Sequence, residues 1–598
     1  MQSEGSRRST ATPSGSKLTP SYLMAEQQLA NNSLRLRPFQ YQALDPAKKE
    51  FRLIELAPLE TEDLEFTPSH EPTVRCRLKH ASLHEWHCYT AVSYAWGDAN
   101  TTKGILVNDQ WVQVTTNLES ALRHLAPQQS GTEQQSSTFW VDAVCINQQN
   151  EAERTQQVAY MKEIYQNATE TFIWLGPASV DSDLAMDTLR ELDKVVDMEE
   201  FGFQSWSEFP FAETAGVPMV NRVQNILKGV IEELCCNDFA RLKAVGSLFE
   251  RSWFQRVWVI QERVLSTDCI VCCGNTWTSW DTFYDGFWML CGVRDYLNIV
   301  GPGTGRSDSS ALVSFLTAAL DRVTPVAFTR LNSPLLTLFS LLSRMAKKAQ
   351  LQASDQRDYV FSLLGLIDPE SGPSIQAQYN KDWKTVRTEV AKACLTFYGP
   401  VILSFAGLRQ LQSKPAWAPD WSSKHLAQPL HTPSLFVVRG KNREKAYTAS
   451  AGLSQSLSEA FSEAGVLSLK ALRVGEIVKR GDPFPNMSVG TPDATRAAIF
   501  NSWLDDFDLI LPGPNEVYKT DEELREALWR SPIADREFAY NWETERASRE
   551  MFLAYQALRR GELSEGLKYM NVASAKLDGR RPFITDRGYV GLAPLEAS

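Results

Sequence analysis

The run Phe139-Trp140-Val141-Asp142-Ala143-Val144-Cys145-Ile146 is apolar on both faces except for Asp142. A strand covered on both sides reads this way, as in the centre of a parallel sheet. Two more runs bracket it. Tyr89–Trp96 is β-branched and aromatic and stops at Gly97-Asp98, and Thr171–Leu175 stops at Gly176-Pro177. Both read as strands. Ile105–Val107 and Trp111–Val114 alternate about Asn108-Asp109, the pattern of a hairpin. Asn117 reads as the cap of a helix whose Leu118, Ala121, Leu122 and Leu125 fall at i, i+3, i+4 and i+7. Asn150 reads as the cap of a second helix, with Glu153 in the capping-box position and Val158, Met161, Tyr165 and Ala168 along one stripe. Strand, hairpin, helix, strand, helix, strand predicts an α/β domain with a mainly parallel central sheet flanked by helices.

The chain has 598 residues, about four domains' worth at roughly 150 residues each. Residues 1–35 are rich in Ser, Thr and Gln and have no apolar stretch, so they read as a disordered tail rather than a signal peptide. Residues 36–300 form the first region. Within it Ser252–Leu265 reads as one helix, with Trp253, Val257, Ile260 and Val264 on its stripe and Arg256, Glu262 and Arg263 off it. Residues 301–310 are rich in Gly and Ser, as in a linker. Residues 311–598 read as mainly helical, then as mixed α+β from Val466 onward.

Composition narrows the function. Sixty-one Lys and Arg against 72 Asp and Glu give a net charge of −11, which disfavours a general nucleic-acid binder. No apolar run reaches the roughly 18 residues of a membrane span. Several of the ten Cys are adjacent or lie inside apolar runs, as reduced buried thiols do, which places the expected location in the cytoplasm.

The common catalytic signatures are missing. Gly301–Ser307 lacks phosphate-loop spacing and has Arg306 where a lysine is required. Cys269 and Cys272 have no second pair, His80, His84, His87 and Cys88 lack a carboxylate pattern, and no GxSxG elbow occurs. No metal site is expected. The stronger signal lies at the strand ends, where open α/β sheets bind ligands. Those ends carry Trp96, Gly97 and Asp98, then Asn147 and Gln148, then Trp174 and Gly176. Each also has a structural use: glycines turn, Asp98 and Asn150 cap, and Trp pins a core.

At these same positions the sequence resembles the heterokaryon-incompatibility (HET) domain proteins of filamentous fungi. The first block is Tyr89-Thr90-Ala91-Val92-Ser93-Tyr94-Ala95-Trp96-Gly97-Asp98. The second is Trp140-Val141-Asp142-Ala143-Val144-Cys145-Ile146-Asn147-Gln148, continuing through Glu153-Arg154, Gln157-Val158, Met161, Ile164-Tyr165, Ala168 and Trp174-Leu175-Gly176. The third is Trp253-Phe254-Gln255-Arg256-Val257-Trp258-Val259-Ile260-Gln261-Glu262. Downstream, Asp358–Leu366, Trp417–Trp421 and Phe583–Thr585 are also similar to the region C-terminal to the domain in such proteins. Val92 stands where the family has Leu, and the family's Gly-Asp stretch after Pro594 is missing.

The resemblance implies self/non-self recognition at cell fusion, a cell-death response, and a core distantly similar to the Toll/interleukin-receptor domain. It leaves two readings of mechanism. In one, the domain signals by assembling with protein partners, and needs neither cofactor nor membrane. In the other, it is an NAD⁺ glycohydrolase. NAD⁺ would then be the substrate, Asp98 and Glu262 the catalytic carboxylates, and Trp96, Gly97, Asn147, Gln148, Trp174 and Gly176 would line the nucleotide site. A carboxylate beside the ribose would stabilise the oxocarbenium-like charge. Asp142 is expected to pair with Arg256, and Glu153 to cap its helix.

Overall fold

A computed structural model describes residues 39–59, 73–127, 138–195, 217–300, 309–327, 329, 337–347, 351–368, 370, 372–406, 415–422, 461, 466–469, 473–485, 493–510, 513–538, 544–577 and 579–594. The expected tail at 1–35 and residues 301–308 of the expected linker lie outside these described residues.

Nine strands build the main sheet: β1 (Glu50–Leu56), β2 (Arg75–Ser82), β3 (Thr90–Tyr94), β4 (Thr102–Val107), β5 (Gln110–Thr115), β6 (Thr138–Trp140), β7 (Glu170–Trp174), β8 (Cys269–Cys273) and β9 (Thr276–Ser279). Their order is β5-β4-β2-β1-β6-β3-β7-β8-β9. The centre is parallel, as the doubly apolar runs predict: β3 pairs with β6 on one side and β7 on the other, and β7 pairs with β8. Beyond that centre the sheet is mixed, because β1–β2, β1–β6, β4–β5 and β8–β9 are antiparallel. The β4–β5 hairpin turns through Asn108 and Asp109 at φ 49° and 62°, the left-handed pair that a tight two-residue turn requires.

The helices of this region are α1 (Thr116–Leu125), α2 (Asp142–Cys145), α3 (Glu151–Asn167), α4 (Ser182–Lys194), α5 (Val217–Leu234), α6 (Cys236–Phe249), α7 (Val259–Leu265) and α8 (Trp280–Val300). Further along come α9 (Ser309–Ala327), α10 (Leu338–Lys347), α11 (Asp358–Leu364) and α12 (Trp383–Tyr398). One continuous core of buried side chains runs from Phe51 to Trp421, with Trp140, Trp174 and Trp253 fully enclosed. A second core joins α13 (Asp493–Asp508), α14 (Asp521–Arg530), α15 (Arg549–Arg560) and α16 (Leu563–Leu577). Strands β10 (Ile477–Arg480), β13 (Arg580–Thr585) and β14 (Val590–Pro594) form a small sheet beside it, and β11 (Arg536–Phe538) with β12 (Thr544–Arg546) a two-stranded ribbon.

Two expectations need correction. The strand over Phe139–Ile146 ends at Trp140, and Asp142–Cys145 is a helical turn. The ladder gives out there: β3 pairs with β6 only through Thr90 and Ala91, and the Cys145 and Ile146 amides then bond back to Val141 and Asp142. Ser252–Leu265 is likewise not one helix. A 3-10 turn covers Ser252–Gln255, Arg256 is extended at φ −81° and ψ 137°, and α7 starts at Val259. The cause is tertiary, because the Val257 amide donates to Gln352 O at 3.2 Å instead of continuing a helical ladder. Finally, β1 and β2 escape the reading of apolar runs, since Arg52, Glu55, Arg75, Arg77 and Lys79 interrupt them.

Candidate functional site

Strands β3 and β7 run side by side and end level, Tyr94 opposite Trp174. Each leaves the sheet through a glycine in the left-handed region, Gly97 at φ +78° and Gly176 at φ +109°. A side chain there would strain the backbone. At Gly97 there is room, since an added Cβ would lie 3.6 Å from Asn117 Cβ. The two exits are tied together by Asn117, whose Nδ2 donates to Ala95 O at 2.6 Å while its Oδ1 accepts from Trp174 Nε1 at 3.1 Å. Asn117 is therefore not the helix cap. Thr115 occupies that position, and Asn117 sits in the first turn, aimed back at the strand ends.

The polar centre lies beneath Trp96. The Trp96 indole, 38% exposed, donates from Nε1 to Asp142 Oδ2 at 2.9 Å. Asp142 faces Arg256, with Nη2 3.8 Å from Oδ2, as the sequence suggested. Arg256 also donates to the Tyr94 carbonyl and sits 3.6 Å from Glu262 Oε1. Glu262 is 2% exposed. Its Oε2 accepts from the Ser93 hydroxyl, which itself accepts from Trp253 Nε1 at 2.8 Å. All three sequence blocks thus meet here: Ser93, Tyr94 and Trp96 from the first, Asp142 from the second, and Trp253, Arg256 and Glu262 from the third.

Burial sets the electrostatics of this centre. It pushes the Glu262 carboxyl up to about 7, against the attraction of Arg256 and with the help of the Asp142 charge. Burial also works against the Arg256 charge, but the carboxylates of Glu262 and Asp142 more than restore it. The buried phenols of Tyr94 and Tyr165 are held well above their ordinary range, first by burial and then by the neighbouring carboxylates.

The other expected residues separate from this centre. Asp98 is exposed, and its three hydrogen bonds, to Asn100 N, Asn100 Nδ2 and Thr101 Oγ1, stay within its own turn. Those bonds, that from Asn100 N foremost, hold its carboxyl below the ordinary carboxylate range. Gln148 Nε2 donates to Asp142 O at 2.9 Å, which supports the α2 turn. Asn147 N donates to Glu153 Oε1 at 2.8 Å. Asn150 caps α3 by accepting from Ala152 N and Glu153 N, but Glu153 does not complete the capping box. Its carboxylate instead grips Arg52 at 2.6 and 3.0 Å. Arg52 is fully buried, also donates to Cys145 O and Gln42 O, and lies over the Tyr41 ring. Trp174 is a core residue, its ring 4.5 Å from that of His124.

Two residues that matter were missed, Asn117 as a bridge and Ser93 as the Glu262 partner. Ser93 had one signal, a small hydroxyl between Val92 and Tyr94 in a strand buried throughout. A cavity of about 240 Å³ lies elsewhere, between α11 and α12, lined by Phe361, Ser374, Gln376, Gln378 and Glu389 among others, and none of the expected site residues lines it.

Comparison with known proteins agrees with the three blocks. The family model described as heterokaryon incompatibility protein (HET) matches residues 89–262. Heterokaryon incompatibility protein 6, OR allele, of Neurospora crassa is 24% identical, with 92% of this chain and 88% of that protein aligned. No solved structure matches. The resemblance read from the sequence is thereby borne out.

Proposed function

We propose that this chain acts in heterokaryon incompatibility, as a self/non-self recognition module that works by assembling with protein partners in the cytoplasm. The match over 89–262 and the similarity to the Neurospora protein support the process. The observation that carries the mechanism is the state of the two candidate carboxylates. Glu262 is buried and already bonded to Ser93 and Arg256, and Asp98 is occupied by its own turn. An NAD⁺ glycohydrolase needs a carboxylate open to the ribose beside a nucleotide pocket. Nothing at the strand ends favours that reading over assembly. Among the described residues no helix is long and apolar enough to cross a membrane.

The test is genetic and biochemical together. The chain is introduced into one of two otherwise compatible fungal strains, and heterokaryon formation is scored. Wild type should reduce it sharply, while purified chain mixed with NAD⁺ releases no nicotinamide. Heterokaryons at the parental frequency would end the incompatibility reading. Nicotinamide release that disappears in a folded Glu262→Gln variant would replace assembly by catalysis.

A further inference from the structure

The segment Ser252–Leu265 has a helical stripe in its sequence and a break in its structure, and the break coincides with Arg256. Local sequence and tertiary structure disagree at one residue. What enforces the break is a stretch of chain far downstream. Gln352 pairs with Arg256 as a parallel bridge. Gln352 N donates to Gln255 O, Val257 N donates to Gln352 O, and the Gln352 side chain reaches Gln255 Oε1 at 3.1 Å. In an unbroken helix the Val257 amide would bond to Trp253 O instead.

This segment and α11 behind it hold on at two more points. Asp358, half-buried at the start of α11, accepts from Tyr379 Oη at 2.6 Å, and the Trp258 side chain bonds to the same carboxylate. Arg154 of the second block lies over the Tyr379 ring at 3.9 Å and pairs with Asp355 at 3.7 Å. These contacts reach both sides of the polar centre and touch none of its acids directly.

We propose that residues 351–357, anchored by α11, act as a regulatory strap: while seated they hold Arg256 in its extended conformation against Asp142 and Glu262, and on release the break closes into helix and withdraws the guanidinium. Gln352 is then a positioning residue that acts through Arg256. A partner that engages the strap reaches the strand ends through this one side chain, and by linkage the state of the strand ends alters affinity for that partner. The regulatory meaning rests on the assembly reading; the geometric coupling does not.

The test reads Glu262 directly in the full chain, without a partner. Glu262 is faced by Arg256 from the break, Asp142 from α2, Ser93 and Tyr94 from β3 and Tyr165 from α3. Of these only Arg256 carries a positive charge that strap release would remove. The protonated carboxyl band of Glu262, identified by its loss in Glu262→Gln, is followed by infrared difference spectroscopy across pH. Gln352→Pro deletes the Gln352 donor. It should make Glu262 bind its proton roughly tenfold more tightly. If that variant does not fold, Tyr379→Phe, which removes only the donor to Asp358, is read in the same way and should shift the titration in the same direction. A folded strap variant with wild-type Glu262 titration overturns the proposal and leaves the assembly reading intact. Unimpaired heterokaryon formation would do the reverse.

Discussion

Replacing Glu262 by Gln keeps the shape of the side chain and its acceptor for Ser93, and removes a carboxyl that burial has moved from its ordinary 4.5 to about 7. Such a carboxyl binds its proton more tightly in the folded state. Between these two pH values the folded chain retains a proton that the unfolded chain has released, so the stabilising contribution is complete below pH 4.5 and is lost as pH rises through 7. At 1.36 kcal/mol per pH unit the loss comes to about 3 kcal/mol. The variant has no such loss. Its stability relative to wild type should therefore climb by about 3 kcal/mol between pH 5 and 8, equivalent to about 4 °C in the melting temperature of a core of roughly 370 residues. Paired calorimetric scans of both proteins across this range measure the difference, in which the titrating groups distant from Glu262 cancel. A flat difference, or one that falls with pH, would refute the claim that burial outweighs Arg256 at this site.

The remaining predictions concern packing. Arg52→Met leaves the Glu153 carboxylate buried without its cation, and urea melts should show a loss of about 3–5 kcal/mol. Gly97→Ala should cost about 1 kcal/mol from its positive φ alone, since the space is free; an unchanged melting temperature would contradict it. Asn117→Ala abandons both Trp174 Nε1 and Ala95 O, and should cost about 2 kcal/mol in the same assay. In the native protein a thiol reagent should modify Cys88 and Cys236 first, the seven buried thiols reacting only on unfolding.

The sequence is legible wherever one element's own pattern decides its structure. Strands β3 and β7, the β4–β5 hairpin and α3 follow from short-range periodicity, and the pairing of Asp142 with Arg256 from charge inside an apolar run. It is illegible wherever a distant residue decides. Arg52 looks like a surface charge until Glu153, 101 positions away, appears beside it. The break at Arg256 depends on Gln352. Asn117 reads as a cap because nothing local reveals that Ala95 and Trp174 stand behind it. The polar centre was half visible for the same reason: Glu262, Asp142 and Trp96 announce themselves, but the burial that distinguishes Glu262 from Asp98 belongs to the folded chain alone.

The strand order also separates the span of family similarity from the span that can fold. A fragment cut to residues 89–262 keeps β3, β4, β5, β6 and β7. It loses β1 and β2, which lie between β4 and β6, so the sheet falls into a β5–β4 hairpin and a β6–β3–β7 strip with no ladder between them. The strip then has two raw edges, since β6 is stripped of β1 and β7 of β8, and unpaired edges of this kind invite chains to stick to one another. A fragment that respects the ladder has to begin ahead of Glu50 and continue past Ser279.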